Sequence, residues 1–277
     1  MFGFSRSPIS HDHHILELVR AHSPISGRTA VDIPAGQGSL SQMLAAEGAH
    51  PIALDIFPER IHKDLPVRLA ANMNERLPLE AEIADLVTCQ EGIEHIPNQV
   101  GFFKEVNRIM KMNGLFFITT PSISHLRARI SQLLVESEYW RRLPASEVDS
   151  VSVAVNEGQT IHFGHLFLLP SSKLRVLLRI NGFEIVSRSW TNVSGTSLAL
   201  LPLFFPFLAL ASFMAYRSSK GRGSNGASGY TRSAYLSLVR LNLSLKTLVC
   251  KDNVWVLRKV LPAQDPRNFA AEGSVAR

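Results

Sequence analysis

The sequence predicts an α/β fold with a mainly parallel sheet. Short apolar runs alternate with segments of helical periodicity through the first 190 residues, a pattern typical of repeated β-α units. A glycine-rich turn follows the first predicted strand, and the second strand ends in an aspartate. With 277 residues, 45% of them hydrophobic and 19% charged, the chain can bury a large core. We therefore expect one extended domain with decorations.

The individual elements follow from apolar periodicity and from turn residues. Strands are predicted at residues 30–33, 51–56, 67–70, 85–90, 115–120, 183–190 and 254–258. Helical spacing follows the first strand and recurs over residues 102–110 and 171–180. Asn113 or Gly114 is suited to a left-handed cap that ends the first of these two helices. Residues 124–158 form a weaker, basic and partly helical pattern, which we interpret as an insertion on the substrate side.

The turn after the first strand has the composition of a ligand-binding loop. Gly36 and Gly38 let the backbone approach a ligand, and the following helix presents free N–H groups. A dinucleotide fingerprint would place a third glycine where Ser41 stands. Asp55, at the end of the second strand, is placed to accept hydrogen bonds from a ribose, and Asp32 would attract a positively charged group and repel a pyrophosphate. These features favour a cationic adenosyl ligand over a dinucleotide.

Four segments resemble, in order and spacing, the motifs of class I S-adenosylmethionine-dependent methyltransferases. They are VDIPAGQGSL, ALDIFPE, ADLVTCQEGIEHIPN and EVNRIMKMNGLFFITTPS, and the resemblance resumes at NVWVLRK. It covers roughly residues 28–190. The resemblance implies a Rossmann-like, doubly wound sheet of seven strands whose last two strands form an antiparallel pair, an enzyme of the methyltransferase type, and S-adenosyl-L-methionine as cofactor.

The resemblance also implies which residues contact the cofactor. The methionine end would be lined by Asp32, Gly36 and Gly38, the ribose held by Asp55, the adenine by Asn72 with the Met73 backbone, and the reactive end would lie near Gln90. Two positions depart from the family pattern. Pro34 replaces a usual glycine and removes an N–H donor. Asn72 stands where an aspartate is common, although its amide oxygen still accepts from an adenine amino group. We expect weaker cofactor binding than is usual.

An acidic and histidine cluster follows the fourth predicted strand. Glu91, Glu94 and His95 form an E-x-x-E-H pattern whose oxygen and nitrogen atoms suit magnesium, manganese or another divalent metal, and His162 and His165 could complete the shell. The pattern is similar to metal-assisted O-methyltransferases of ubiquinone biosynthesis and to those that methylate the terminal ribose of small RNAs. Alternatively no metal binds, and His95 is a base or a helix cap. We predict that His95 and Glu91 are catalytic, because with or without a metal a substrate hydroxyl must lose its proton.

Residues 198–216 carry no charge and approach the length of about 20 residues that a helix needs to cross a bilayer. They lie between the strands at 183–190 and 254–258, which a single crossing would separate. Pro202 and Pro206 should interrupt the helix. These observations favour a bent, monotopic membrane anchor. An oligomer interface and a lid over an apolar substrate are the alternatives.

The region after the anchor is predicted to form one amphipathic helix. Its apolar stripe consists of Ala234, Leu238, Leu241, Leu245 and Leu248. Three basic residues near the apolar run could contact anionic lipid, namely Arg217, Lys220 and Arg222.

These segments divide the chain into four parts: a helical extension at 1–27, the methyltransferase core at 28–190, the apolar and amphipathic insertion at 191–250, and the final strand and tail at 251–277. His11, His13 and His14 are predicted to lie in a solvated, loop-like terminus. Cys89 and Cys250 show no metal or disulfide spacing, and the first residues do not form a secretory signal. We expect a cytoplasmic protein on the inner face of the membrane.

The predicted reaction is O-methylation of a hydroxyl on a membrane-associated or lipid-linked acceptor. Relatives with a long apolar stretch before the last strand look like enzymes of bacterial envelope glycans or glycolipids. The alternatives are a quinone-precursor O-methyltransferase, an RNA ribose 2′-O-methyltransferase, and a noncatalytic membrane-associated binding module. The net charge of +6 permits nucleic acid, but no aromatic platform is interleaved with the basic residues, which argues against this partner. The sequence does not predict the oligomeric state.

Overall fold

A computed structural model describes residues 11–139, 142–148, 150–154, 160–219 and 228–265. Nine strands are present in this part of the chain. They are β1 Thr29–Asp32, β2 His50–Asp55, β3 Arg68–Ala70, β4 Ala84–Gln90, β5 Met110–Pro121, β6 Val151–Ala154, β7 Thr160–Phe163, β8 Phe183–Arg188 and β9 Asp252–Lys259.

Seven of the strands form one sheet in the order β3-β2-β1-β4-β5-β9-β8. Strands β1 to β5 pair in parallel, whereas β9 runs antiparallel to both neighbours. The remaining strands, β6 and β7, form a separate antiparallel pair. The predicted doubly wound sheet with an antiparallel last strand pair is therefore confirmed.

Helices cover both faces of this sheet. They are α1 His11–His22, α2 Ser39–Ala46, α3 Gln99–Ile109, α4 Leu126–Val135, α5 Ser171–Ile180, α6 Gly195–Ser219, α7 Ser228–Leu243 and α8 Leu245–Val249. Successive residues of a strand point to opposite faces, and Phe116 and Phe117 accordingly belong to two different hydrophobic clusters. Phe102 and Phe103 of α3 pack in the cluster of Phe116, and Ile15 of α1 packs in the cluster of Phe117.

Residues 11–22 form a docked helix, as the predicted helical extension requires, so the prediction that His11, His13 and His14 lie in a loop is wrong. Ile15, Leu16 and Val19 of α1 recur at helical spacing and are buried. His14 Nε2 lies 2.8 Å from Ser189 Oγ, and burial lowers the pKa of His14, with a further lowering from His11. The apolar stripe of α1, rather than the polar histidines, decided the local structure.

The apolar segment also differs from its prediction. Helix α6 continues through Pro202 and Pro206, which were expected to interrupt it. The inner face of α6 packs on a buried cluster formed by Leu126, Leu248, Val249 and Cys250. The residues of α6 in this contact are Leu200, Leu201, Phe204 and Leu208. This packing offsets the local cost of the prolines. Of the described helices, α6 alone is long and apolar enough to span a membrane, and only 6% of its most apolar window is buried.

The predicted amphipathic helix is two helices. Helix α7 ends at Leu243, and the Ser244 side chain caps α8 by accepting from the Thr247 N–H. Serine at such a position favours a new helix start. The change of direction leaves Leu245 exposed, whereas Leu241 and Leu248 are buried as predicted. Lys220 and Arg222 lie outside the described residues.

Candidate active site

The glycine turn between β1 and α2 is tied to the end of β2. Gly36 and Gly38 have φ values of 57° and 83°, the left-handed region that favours glycine. A Cβ on Gly38 would lie 2.7 Å from Leu65 Cδ1. The N–H of Gly36 donates to Asp55 Oδ2 at 2.8 Å, and the N–H of Phe57 donates to Oδ1 at 2.9 Å. These two bonds fix the carboxylate of Asp55 at the carboxyl end of β2.

A cavity of about 470 Å³ opens beside this turn. Its wall is formed by Ile33, Pro34, Asp55, Ile56, Phe57, Arg60, Ala71, Asn72, Met73, Asn74, Gly92, His95, Ile96 and Phe163. Ligands bind in such sheets where the strand order reverses, at the carboxyl ends of the strands. The cavity lies at that place, next to β1 and β4. It brings together the predicted ribose residue Asp55, the predicted adenine residues Asn72 and Met73, and the predicted base His95.

The two turns that frame the cavity touch each other. Pro34 lies where a glycine was expected, and a Cβ on Gly92 would come within 2.5 Å of Pro34 Cδ. The missing side chain of Gly92 therefore makes room for the proline ring. The departure at Pro34 is accommodated by a second glycine on the neighbouring turn.

The cavity is lined by two further residues, Phe57 and Arg60, that the sequence prediction missed. The Arg60 guanidinium lies 4.2 Å from the centre of the Phe57 ring, and both side chains line the cavity. Both residues follow Asp55 closely in the chain, and this proximity was the indication in the sequence that they could line the same cavity. The Asn72 Oδ1 atom accepts from the N–H of Asn74 at 3.0 Å, and its Nδ2 atom donates to Glu75 Oε1 at 2.8 Å. Asn72 is therefore partly engaged within its own turn.

Asp32, like Gly36 and Gly38, is not among the residues that line the cavity, and its contact with the methionine end of the cofactor stays a prediction. Its side chain is buried, with Oδ1 accepting from Thr88 Oγ1 at 2.7 Å and Oδ2 from Ser41 Oγ at 2.9 Å. Burial raises its pKa from 3.8 to about 6, although both hydroxyls act in the opposite direction. Asp32 is thus a positioning residue that joins β1, β4 and α2 behind the glycine turn.

Gln90, predicted near the reactive end, contacts the N-terminal helix. Its Nε2 atom donates to Asp12 Oδ1 at 2.9 Å, which links the end of β4 to α1. Its Oε1 atom is buried without a hydrogen-bond partner in the described part of the chain. A buried polar atom of this kind calls for a partner. An unpaired acceptor at this position fits a ligand that brings its own donors.

Buried Glu94 and partly exposed His95 form a pair after β4. Glu94 Oε2 accepts from Thr120 Oγ1 at 2.9 Å, and Oε1 lies 3.9 Å from His95 Nε2. Burial, reinforced by the nearby charge of Glu91, raises the pKa of Glu94 to about 8. His95 Nδ1 lies 2.7 Å from the Phe163 carbonyl oxygen. Because a carbonyl only accepts, Nδ1 carries the proton and Nε2 of the neutral ring is left with a lone pair.

His165 completes a group of three ligand-type side chains. One ligand atom each from Glu94, His95 and His165 lies within 4.8 Å of the other two. Tyr139 Oη is 2.7 Å from His165 Nδ1, a contact that the sequence did not suggest. Three of the predicted metal residues therefore converge.

The fourth predicted metal residue, Glu91, is not part of this group. Glu91 Oε1 accepts from Thr119 Oγ1 at 2.9 Å, so the side chain of Glu91 lies against β5. The backbone φ of Glu91 is 46°. Burial raises its pKa. The side chain of His162 lies outside the described part of the chain.

Comparison with known proteins decides the family. A family model described as a methyltransferase domain matches residues 12–188, more than half of the chain. The chain belongs to this methyltransferase family. It is a member of the class I S-adenosylmethionine-dependent superfamily, as its motifs suggested, and its cofactor is S-adenosylmethionine. The cavity, the fixed carboxylate of Asp55 and the unpaired Gln90 oxygen fit that cofactor.

Curated relatives carry the name ubiquinone biosynthesis O-methyltransferase. The chain is 29% identical to the protein from Xylella fastidiosa, over 46% of this chain and 55% of that protein. It is 31% identical to the protein from Xanthomonas axonopodis pv. citri, over 46% and 56%. The chain thus spans just over half the length of the curated relatives it matches. A crystal structure from Galdieria sulphuraria, described as a sarcosine dimethylglycine methyltransferase, superposes with a TM-score of 0.50 at 12% identity, covering 92% of this chain and 85% of that one, which supports the fold alone.

Proposed function

We propose that this protein transfers the methyl group of S-adenosylmethionine to a hydroxyl of a membrane-associated or lipid-linked acceptor. The supporting observation is that His95 lines the same cavity as Asp55 and Met73, with its Nδ1 proton fixed on the Phe163 carbonyl. The bound cofactor supplies a methyl group on a positively charged sulfur. The residues of the chain must hold the acceptor in line and remove its proton.

His95 is the proposed base. Its Nε2 lone pair is available to the proton of an acceptor hydroxyl, because Nδ1 is occupied by the Phe163 carbonyl. Burial raises the pKa of the neighbouring Glu94 to about 8, so this carboxyl is mostly neutral at pH 7. The charge of Glu91 interacts with His95 and would stabilise the imidazolium that forms. We therefore assign Glu91 a supporting electrostatic role.

A divalent metal held by Glu94, His95 and His165 is the second candidate for this cluster. The mutual proximity of their ligand atoms and the unpartnered Glu94 Oε1 support it. Such a metal would acidify an acceptor hydroxyl and make a free histidine base unnecessary. Turnover measured with and without a chelator, followed by addition of Mg²⁺ or Mn²⁺, separates the two mechanisms. A metal-free base predicts identical rates.

The acceptor is proposed to reside in the membrane because of α6. Its outward face exposes large apolar side chains, including Leu203, Phe207 and Leu210, each more than half exposed. Exposed apolar patches of this kind mark interaction sites. Arg217 lies in the last turn of the helix, where it could contact anionic head groups. The bilayer surface is the proposed occupant of this face, and an oligomer interface or a lid is an outcome that the test can reveal.

Prenylated quinol precursors are the second class of acceptor, favoured by the names of the curated relatives. Envelope glycans or glycolipids are the first class in this proposal, and the exposed face of α6 is compatible with both classes, because a prenylated quinol also resides in the membrane. RNA ribose is disfavoured because the basic residues are not interleaved with an aromatic platform.

The decisive experiment incubates the full chain with labelled S-adenosylmethionine and a membrane extract. We expect S-adenosylhomocysteine to form only when the extract is present, with one extract component gaining one methyl group by mass spectrometry. The mass of that component distinguishes glycolipid from quinol. Binding of the cofactor without any turnover on membrane, quinol or RNA preparations would instead indicate the noncatalytic binding module.

A further inference from the structure

A second cavity, of about 230 Å³, lies among α4, α5, α7 and α8. It is lined by Ile123, Ser124, Arg129, Gln132, Pro170, Ser171, Ser172, Leu241, Asn242 and Thr247. None of these residues is acidic, and most carry a hydroxyl, an amide or a cation. The cavity therefore has the electrostatic character of an anion site.

Arg129 is the cation of this cavity, and it has only neutral partners. Its Nε donates to the Ser124 carbonyl at 2.6 Å and its Nη2 to Asn242 Oδ1 at 2.7 Å. It makes no ion pair with any carboxylate in the described residues. Burial lowers its pKa, with no acidic neighbour acting in the opposite direction. A largely buried charge without a counter-ion is costly unless a ligand supplies one.

A second buried guanidinium stands behind the wall of the cavity. Arg188 donates to Ser244 Oγ at 3.0 Å and to Thr247 Oγ1 at 2.7 Å, and Thr247 lines the cavity. Burial lowers the pKa of Arg188, and its Nε atom has no hydrogen-bond partner in the described chain. Arg129 on the cavity wall and Arg188 behind it thus have neutral hydrogen-bond acceptors among the described residues, and Arg188 also lies 5.3 Å from the centre of the Trp255 ring.

Further donors converge on the same cavity. Helix α5, ten residues long, begins at Ser171 on the cavity wall. The Ser171 N–H donates to Ser124 Oγ at 2.9 Å, and Pro170 at the N-cap offers no side-chain acceptor to the N–H groups that follow. Ser171 Oγ donates to Asn253 Oδ1 at 2.7 Å, and the Nδ2 of Asn253 is buried without a partner. A guanidinium group that has no carboxylate partner in the described part of the chain, together with these neutral donors, suits a phosphate, which offers several acceptor oxygens.

The position of the cavity indicates where the phosphate comes from. Asn242 Nδ2 donates to Ser212 Oγ at 3.2 Å, and Ser212 belongs to the buried face of α6. The cavity thus lies directly against the helix whose other face is apolar and exposed. Ser124 follows the carboxyl end of β5, so the cavity is also on the edge of the sheet that carries the cofactor cavity.

We propose that this cavity binds a phosphate ester, and that its source is a membrane lipid or a lipid-linked acceptor. The identification of the phosphate with the methyl acceptor rests on the proposed function, whereas phosphate binding itself does not. The site would hold the phosphate of an amphiphile whose apolar part lies along α6. With this phosphate site, the proposed methyl acceptors are limited to phospholipids and lipid-linked phosphates.

The test measures binding by the full chain without cofactor. Inorganic phosphate is titrated by calorimetry, and vesicles of phosphatidylcholine alone are compared with vesicles that also contain phosphatidic acid. Arg129→Gln removes the cation. Ser172→Asp places a carboxylate at the start of α5, where it favours the helix but repels an anion, so this variant should fold. Arg68→Gln, on the exposed far edge strand, changes the net charge by the same amount and is the matched control.

We expect inorganic phosphate affinity to fall at least about tenfold in Arg129→Gln and in Ser172→Asp, and to be unchanged in Arg68→Gln. If the phosphate that binds in this cavity belongs to a lipid, the same two variants should also lose the preference for vesicles that contain phosphatidic acid. If only the inorganic phosphate affinity falls, the site stands and its ligand is a soluble phosphate. Equal binding by the wild type, Ser172→Asp and Arg68→Gln would overturn the proposal. Absence of methyl transfer together with Arg129-dependent phosphate binding would refute the proposed function and leave this site intact.

Discussion

Thr88 Oγ1 donates to Asp32 Oδ1 at 2.7 Å, across two neighbouring strands in the centre of the sheet. This bond and the bond from Ser41 Oγ hold the carboxylate of Asp32 within the framework behind the glycine turn. Because Ser41 occupies the other oxygen, Asp32 has a neutral hydroxyl on each side and no cation. The stability of the turn therefore depends on the protonation of a buried acid.

Thr88→Val should destabilise the protein, and more at pH 7.5 than at pH 5. The threonine hydroxyl stabilises the charged form of Asp32, whose pKa of about 6 lies above its ordinary value of 3.8. Removing this donor from a buried carboxylate should cost about 1–3 kcal/mol at pH 7.5. At pH 5 Asp32 is largely protonated in the folded protein and the loss should be smaller. Chemical denaturation at the two pH values measures both differences.

The direction of this pH dependence follows from the difference between the pKa of Asp32 in the folded protein and in the unfolded chain. The pKa of Asp32 is higher in the folded protein than in the unfolded chain, so protonation of Asp32 stabilises the folded protein fully below pH 3.8. This stabilisation is lost as the pH rises through about 6. Without Thr88 the pKa of Asp32 should rise further, which extends this loss to higher pH. Thr29→Val, on β1 outside this contact, serves as the control and should show no such pH dependence. A penalty for Thr88→Val that is equal at both pH values would contradict the assignment.

Asn72 is predicted to contact the adenine, and its neighbour Glu75 limits what a substitution at this position can achieve. Asn72→Asp restores the residue that the family usually carries, but it places two carboxylates in contact, because Asn72 Nδ2 is 2.8 Å from Glu75 Oε1. We expect little gain in S-adenosylhomocysteine affinity from Asn72→Asp alone. The double variant Asn72→Asp with Glu75→Gln should bind about tenfold more tightly.

Calorimetric titration with S-adenosylhomocysteine measures these affinities. Glu75→Gln alone is the matched control and should leave the affinity close to that of the wild type. The cycle of two single variants and one double variant isolates the interaction between the two positions. Equal affinity for all four proteins would show that Asn72 does not contact the adenine.

His95→Gln should reduce kcat about 10²- to 10⁴-fold without weakening cofactor binding. Glutamine keeps a polar side chain near the cavity but has no basic nitrogen to accept a proton. Initial rates at saturating cofactor measure the effect once an acceptor is identified. His50→Gln is the matched control, because His50 is exposed at the opposite end of β2. Full activity of His95→Gln would leave the cluster with a structural role.

Most of the sheet could be predicted from local patterns, because each strand is a short apolar run and each turn carries its own glycine or proline. Helix α5 has the predicted bounds 171–180. The errors arose where long-range packing decided the structure. Helix α6 tolerates two prolines because its inner face packs on α8, and α1 docks because three apolar residues meet the sheet.

The candidate site shows the same division. The positions of Asp55 and Met73 follow from their places at strand ends, which fix where a side chain emerges. The contact between Tyr139 and His165 joins residues 26 apart in irregular chain, and no periodicity signals it. Likewise, the partners of Asp32 lie on other elements, so the sequence could not show that its carboxylate was already satisfied.

The two faces of α6 allow membrane association to be tested without disturbing the fold. Phe207 and Leu210 are exposed, so replacing both with serine should change the free energy of unfolding by less than about 0.5 kcal/mol. The same change removes two apolar side chains that would enter lipid, and burying each of them fully would contribute about 1.5–3 kcal/mol to membrane binding. Co-flotation with anionic vesicles should therefore drop by at least tenfold. Leu208→Ala on the packed face is the counterpart and should lower stability by about 1–3 kcal/mol while leaving flotation of the folded protein unchanged. Should the double serine variant float normally but change from dimer to monomer in size-exclusion chromatography, the exposed face is a subunit interface rather than a membrane contact.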